Sequence, residues 1–76
     1  MPASTAPLSR PVLTDAWERL QAHYAAHHNS APFWSHYQAL QDELIRAHPQ
    51  HRIHVCNRLA TFAERLGVVP QAQLLA

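Results

Sequence analysis

The sequence predicts an all-α protein, a small three-helix bundle with a flexible N-terminal segment and a short C-terminal helical extension. Three segments carry large apolar residues at three- and four-residue steps, the spacing of one face of an α-helix. Proline-containing breaks at 29–32 and 48–49 separate these segments. Residues 53–56 alternate like a β-strand, but no second segment of this kind is present to complete a sheet. We therefore expect a flexible lead-in over 1–13 and one helical domain over 14–76.

The first helix is expected over 15–28. Thr14 or Asp15 is a suitable N-cap, and Asp15 with Glu18 three residues later has the pattern of a capping box. The break at 29–32 ends this helix, because Asn tolerates the left-handed conformation and Pro cannot continue a helix. The apolar stripe of the helix consists of Leu13, Trp17, Leu20 and Tyr24, followed by His27 and His28.

The second helix is expected over 31–47, with Asn29 or Ser30 as its cap and a stop before Pro49. Its apolar face is formed by Phe33, Trp34, Tyr37, Leu40, Leu44 and Ile45. This face is wider than a contact between two helices requires. Either the helix is central in the bundle, or its aromatic end is offered to a partner.

The third helix is expected over 50–66, with an apolar face of Val55, Cys56, Leu59, Phe62, Ala63 and Leu66. Gly67 followed by Val68 has the form of a Schellman stop, which would turn Val68 back to pack on Phe62. A short terminal helix is expected over 70–75, because Pro70 suits a first helical turn.

The core that these stripes form is small. Of the 76 residues, 47% are hydrophobic, but 13 are alanine, and only 23 larger apolar side chains remain. A single core of this size supplies only a few kcal/mol of stability. This excludes a second domain, a large enzyme scaffold and a deep substrate cavity, and it favours docking onto a larger protein or onto a second copy.

Charge and cysteine content exclude further classes. Six arginines and no lysine face five acidic residues, a net charge of +1, so bulk charge draws the chain neither to nucleic acid nor to membranes. One cysteine, Cys56, allows no internal disulfide, and the N-terminus lacks the apolar stretch of a signal peptide. No run of about 18 apolar residues is present to span a membrane. We expect a cytoplasmic protein.

Motifs of catalysis are missing from the sequence. Gly67 is the single glycine, so there is no glycine-rich phosphate loop, and no motif joins serine, histidine and acidic residues as a triad. Cys56 is expected on an apolar helix face as an inert thiol. We therefore predict no enzyme activity and no cofactor.

The third helix carries a basic ridge beside its apolar stripe. His51, Arg58 and Arg65 recur at seven-residue steps, with His54 adjacent. Arginine and large aromatic residues are enriched at the energetic centres of interfaces. The sequence therefore predicts a protein-interaction module, an adaptor, inhibitor or regulatory subunit of bacterial or phage origin, which docks onto a larger protein or onto a second copy of itself. Its partner-binding residues are predicted to be Phe33, Trp34, Tyr37, His51, His54, Arg58 and Arg65.

Histidine spacing gives an alternative, a metal-binding protein. His23 and His27 lie four residues apart on one helix, a spacing that lets two imidazoles reach one ion, and His48, His51 and His54 follow at three-residue steps. Steps of three rotate by about 60° each, so the latter set does not converge alone. A structural zinc site needs about four ligands. The main hypothesis therefore contains no metal site, and metal binding by these histidines stays an alternative.

DNA binding is the other alternative, and it ranks before metal binding. Residues 62–75, FAERLGVVPQAQLL, resemble the helix-turn-helix of small transcriptional repressors, a family that keeps the positions of Ala63 and Gly67 small. The resemblance implies Arg65, Gln71 and Gln73 as DNA-contacting residues. The second half of the segment carries no Arg or Lys for phosphate contacts, so a nucleic-acid partner is not the expected one.

Overall fold

The computed structural model of the protein describes residues 8–70. They form α1 (Arg10–His27), α2 (Ala31–Ala47) and α3 (Arg52–Leu66), with one 3₁₀ turn at Pro49–His51 before α3. All three pairs of helices are in contact, and residues 8–70 contain no strand. The predicted all-α three-helix bundle is confirmed. In this part of the chain, no helix has the length and apolar character needed to cross a bilayer.

The core draws on all three helices and on the residues after α3. Its largest fully buried side chains are Phe33, Leu20, Leu40, Leu59 and Val55, accompanied by Ala16, Leu44, Phe62, Ala63 and Val68. No polar or charged residue among 8–70 is buried. The predicted stripes therefore form one contiguous hydrophobic core.

The start of α1 differs from the prediction. Ser9 is the N-cap, its Oγ accepts a hydrogen bond from the Val12 amide at 3.4 Å, and Pro11 lies in the first turn. Serine is a strong N-cap, and proline fits a first turn because its missing N–H has no helical partner there. Residues 10–13 therefore belong to α1, and neither Thr14 nor Asp15 caps it. Of the predicted lead-in, residues 1–7 lie outside the described residues.

The connection between α1 and α2 has three residues, 28–30. His28 closes α1 with a positive φ of 55°, and its amide donates to the Tyr24 carbonyl at 2.7 Å. Ser30 is the N-cap position of α2, but its Oγ donates to the His27 carbonyl at 2.7 Å instead of capping α2. This short connection lays α2 against α1 as a helical hairpin, with the bounds predicted for α2.

The two ends of α3 agree with the prediction to different degrees. The 3₁₀ turn takes up Pro49–His51, so the α-helix begins at Arg52 rather than at residue 50. At the other end, Gly67 has φ 83°, the Gly67 amide donates to the Glu64 carbonyl, and the Val68 amide donates to the Ala63 carbonyl. These bonds form the predicted Schellman motif, and Val68 is buried in the core with Phe62. The helix predicted over 70–75 falls almost entirely outside the described residues.

Candidate functional site

An arginine-lined groove runs between α1 and α3. Its volume is about 360 Å³. We call it the arginine groove; it is lined by Arg10, Leu13, Thr14, Trp17, Arg58, Phe62 and Arg65. It thus combines three cationic side chains with two aromatic rings.

The aromatic part of the arginine groove is well packed. The ring centroids of Trp17 and Phe62 are 5.1 Å apart at an interplanar angle of 48°. The guanidinium carbon of Arg58 lies 5.3 Å from the Phe62 ring centroid, within the range of a cation–π interaction. Phe62 is 3% exposed and belongs to the core, whereas Trp17 is half-buried. The groove therefore has an apolar base fixed by the core.

The charges of the arginine groove are not neutralised from within the described chain. None of its lining residues is acidic, and within residues 8–70 its three arginines form no ion pair. The Arg58 Nε is buried and has no hydrogen-bond partner among the described residues. Donors of this kind favour an acceptor supplied by a ligand, because a buried unpaired polar group costs free energy.

The arginine groove contains two of the predicted partner residues and two that the sequence did not indicate. Arg58 and Arg65 were predicted on the basic ridge. Trp17 was assigned to the core stripe, and Arg10 to the flexible lead-in, so neither was predicted in a site. The ridge residues His51, which is half-buried, and His54, which is exposed, do not line the groove.

Trp34 and Tyr37 lie in a different groove, between α2 and α3. This Trp34–Cys56 groove has a volume of about 330 Å³ and is lined by Trp34, Tyr37, Gln41, Cys56, Ala60, Ala63 and Val69. The Trp34 indole N–H donates to the Asn29 Oδ1 at 2.8 Å, and the Asn29 Nδ2 donates to the Val68 carbonyl at 3.2 Å. Trp34 is therefore held in place by the bundle itself. Burial, together with the nearby Cys56 thiol, raises the pKa of Tyr37 to about 12.

Phe33 requires a correction. Its side chain is 0% exposed, and its ring packs edge-on against Tyr24 at a centroid distance of 6.0 Å. Phe33 is therefore a core residue that presents no surface to a partner. Trp34 and Tyr37 line one groove, whereas Arg58 and Arg65 line the other.

Three histidines converge at the end of the α1–α2 hairpin that the connection at 28–30 closes. The nitrogens of His23, His27 and His36, one from each ring, lie within 4.8 Å of one another. The rings of His23 and His36 stack with centroids 3.9 Å apart and an interplanar angle of 6°, and those of His27 and His36 are 5.5 Å apart. We call this group the histidine cluster. The sequence indicated the pair on α1, but it missed His36, because that contact forms only when α2 folds back.

The other predicted histidine set does not converge. The ring centroids of His48 and His51 are 6.5 Å apart, as are those of His51 and His54, with interplanar angles of 53° and 80°. Within residues 8–70, the ring nitrogens of these three histidines do not come close enough together to bind one ion. They lie on three different elements, because His48 ends α2, His51 ends the 3₁₀ turn and His54 belongs to α3.

An ion-pair network continues the α1–α2 seam beside the histidine cluster. The two terminal nitrogens of Arg19 each donate to one carboxylate oxygen of Glu43 at 3.0 Å, and Asp15 lies 3.6 Å away. The hydrogen bonds from Arg19 hold the pKa of Glu43 below its usual value. Burial, and then the charges of His36, His27 and Arg19, lower the pKa of His23. Neutral imidazole is therefore the favoured form of His23 at neutral pH.

The residues of the DNA-binding alternative are only partly described. Arg65 lines the arginine groove beside α1, whereas Gln71 and Gln73 lie outside the described residues. That alternative stays a prediction. No protein-family model, curated protein or solved structure matches the chain.

Proposed function

We propose that the protein is a binding module that docks onto a larger protein by taking an acidic segment of it into the arginine groove. One observation carries the proposal: three arginines surround two contacting aromatic rings in a groove that has no acidic lining residue. The module would act as an adaptor, inhibitor or regulatory subunit, not as an enzyme. We expect it to work in the cytoplasm, where its one cysteine stays reduced.

Side-chain chemistry supports an acidic partner segment. A guanidinium group presents a planar set of donors that matches a carboxylate with two parallel hydrogen bonds. Arg10 comes from α1, whereas Arg58 and Arg65 come from α3, so a ligand segment in the groove would contact both helices. The contacting rings at its base favour a large apolar side chain. The preferred ligand is therefore a segment with acidic residues next to a large apolar residue.

Overall charge supports a protein partner over nucleic acid. The net charge is only +1, and the groove concentrates three arginines in one place. Nucleic-acid binding draws its affinity from many phosphate contacts along an extended basic surface. A short segment with a few carboxylates fits a groove of this size better.

The experiment is a selection of random displayed peptides on the wild-type protein, followed by affinity measurements with fluorescently labelled peptides. We expect the selected sequences to be enriched in Asp and Glu beside a large apolar residue. Charge reversal in the variant Arg58→Glu/Arg65→Glu should weaken their binding about 30-fold or more, about 2 kcal/mol, the scale of an interface hot spot. Circular dichroism would verify that the variant is folded.

The chain offers a matched control in the variant Arg46→Glu/Arg52→Glu. Both residues are exposed, lie outside the groove, and give the same change in net charge. This control should keep its affinity to within about three-fold, because exposed charges at a distance contribute little. Equal loss in both variants, or selected peptides without acidic residues, would refute the proposal. Tighter binding of duplex DNA than of any peptide would favour the DNA-binding alternative instead.

A further inference from the structure

The histidine cluster joins two helices through side chains that are good metal ligands. His23 and His27 come from successive turns of α1, and His36 comes from the facing side of α2. Three imidazoles supply three nitrogen donors without any carboxylate. Imidazole suits zinc, copper and nickel, whereas magnesium and calcium prefer oxygen.

The donor separations fit an ion after a small adjustment. Zinc–nitrogen bonds of about 2.0–2.1 Å place the nitrogens of a tetrahedral site about 3.4 Å apart. The nitrogens of the histidine cluster already lie within 4.8 Å of one another. His36 is exposed, while His23 and His27 are half-buried, so ring rotations of this size do not disturb the core.

The arginine beside the histidine cluster is compensated by acidic side chains. The nearby cation on α1, Arg19, is paired with Glu43 of α2 and with Asp15. A bound cation would therefore meet a largely compensated arginine.

We propose that His23, His27 and His36 form a binding site for one divalent late first-row transition-metal ion, with Zn²⁺ as its representative. The site provides three protein ligands and leaves a fourth tetrahedral position open, which is the arrangement of zinc sites that keep a water or an exogenous ligand. It lies on the α1–α2 seam, whereas the arginine groove lies between α1 and α3. The proposal is therefore independent of the proposed partner binding.

The first experiment is isothermal titration of the metal-free protein with zinc chloride, and then with nickel and cobalt salts. One ion per chain is expected. Because the ion binds the folded chain, a zinc concentration about 100 times the Kd should raise Tm by about 10 °C or more. With cobalt, visible ligand-field bands of the four-coordinate type should appear on saturation.

The chain offers a close control for the decisive variant. His36→Ala removes a ligand from the histidine cluster, and His54→Ala removes an equally exposed helical histidine outside it. Substituting a residue that only hydrogen-bonds to a metal ligand already lowers metal affinity about 10–100-fold. His36→Ala removes a ligand itself and should therefore lower zinc affinity more than about 100-fold. His54→Ala should bind zinc like the wild type.

Imidazole nitrogen signals in an NMR spectrum distinguish the site from nonspecific binding to the many histidines. Zinc should shift the ring nitrogens of His23, His27 and His36 at one equivalent and leave those of His48, His51 and His54 in place. Equal losses in the two alanine variants, shifts at the second set, or one ion per two chains would each overturn the proposal. An absence of saturable binding would overturn it as well.

Discussion

The arginine groove and the histidine cluster are both built on α1, and both are basic, but they differ in the permanence of their charge. Arginine stays protonated at every physiological pH, whereas histidine changes its charge close to neutrality. The groove therefore presents lasting positive charge to anions. The cluster can shed its protons and accept a cation. On the two proposals above, the kind of basic residue, more than the number of charges, decides which ligand each surface takes.

The largest effect is expected from a core substitution that disrupts both sites together. Leu20 is fully buried on α1, in the core that both sites share. Leu20→Ala should lower the free energy of unfolding by about 2–5 kcal/mol, a large part of the stability of so small a bundle. Urea denaturation followed by circular dichroism measures it, and peptide and zinc binding should fall in parallel.

Gln21→Ala is the neighbouring control for this substitution. Gln21 is exposed, and alanine is a good helix former, so we expect a change within about 0.5 kcal/mol. A loss below about 1 kcal/mol for Leu20→Ala would mean that the two sites do not depend on one core.

Salt and pH should separate the two sites. Raising NaCl from about 0.05 to about 0.5 M should weaken peptide binding several-fold, because it screens exposed guanidinium charges, and should change zinc binding little. Lowering the pH from about 7.5 to about 5.5 should weaken zinc binding, because protons compete for imidazole nitrogens. It should change peptide binding little. Isothermal titration across this grid checks both. Parallel responses to salt and pH would show that the two binding events share a mechanism.

Even without metal, the histidine cluster should make stability depend on pH. The pKa of His23 is below its ordinary value of 6.5 in the folded chain, so the unfolded chain takes up a proton first as the pH falls. The contribution of His23 to stability is therefore fully present above pH 6.5 and is lost as the pH drops from 6.5 toward the lower folded pKa. His27, His36 and Arg19 face this ring and act in the same direction.

His23→Gln should flatten this part of the pH dependence, measured by urea denaturation at a series of pH values. His54→Ala should leave it unchanged, because His54 lies outside the cluster. An unchanged slope in His23→Gln would place the titrating group elsewhere.

The smallest expected effect concerns the ion pair beside the histidine cluster. Glu43→Gln removes the partner of Arg19, and because the pair is largely exposed it should cost only about 0.2–1 kcal/mol. The pKa of Glu43 is lowered in the fold, so this contribution is present above its ordinary 4.5 and disappears as the pH falls through the folded pKa.

The same substitution should weaken zinc binding a few-fold, because it leaves the charge of Arg19 near His23 compensated only by the longer contact to Asp15. Asp42→Asn is the matched control, since it removes an adjacent exposed acid that does not pair with Arg19. Thermal denaturation and zinc titration measure both effects. Equal results for the two variants would show that only net charge matters.

Most of the fold could be predicted, because its signals are local. Each of these signals acts within a few residues: the three- and four-residue spacing of apolar side chains, the helix breaks before Pro32 and Pro49, and the helix end at Gly67. The helices of the structure agree with them. The start of α1 was missed although its signal, a serine two residues before Pro11, is also local. It was hidden by a second cap pattern at Asp15 that looked stronger.

The sites were harder to predict, because they depend on how the helices are turned toward one another. Periodicity placed Phe33 on a wide aromatic face, but it does not tell which of those rings the neighbouring helices cover. His36 has no spacing relation to His23, and Arg10 has none to Arg58. These pairs meet only across helix interfaces, whose geometry a single sequence does not specify.

The three-residue connection at 28–30 also has a kinetic consequence. Chains whose contacts join neighbouring segments fold in microseconds to milliseconds, because little loop entropy is lost before contacts form. The hairpin of α1 and α2 closes over such a short connection, so we expect it to be an early folding event. The histidine cluster would then be assembled before α3 docks, and an ion captured at that stage would hold the hairpin together while the rest of the bundle forms.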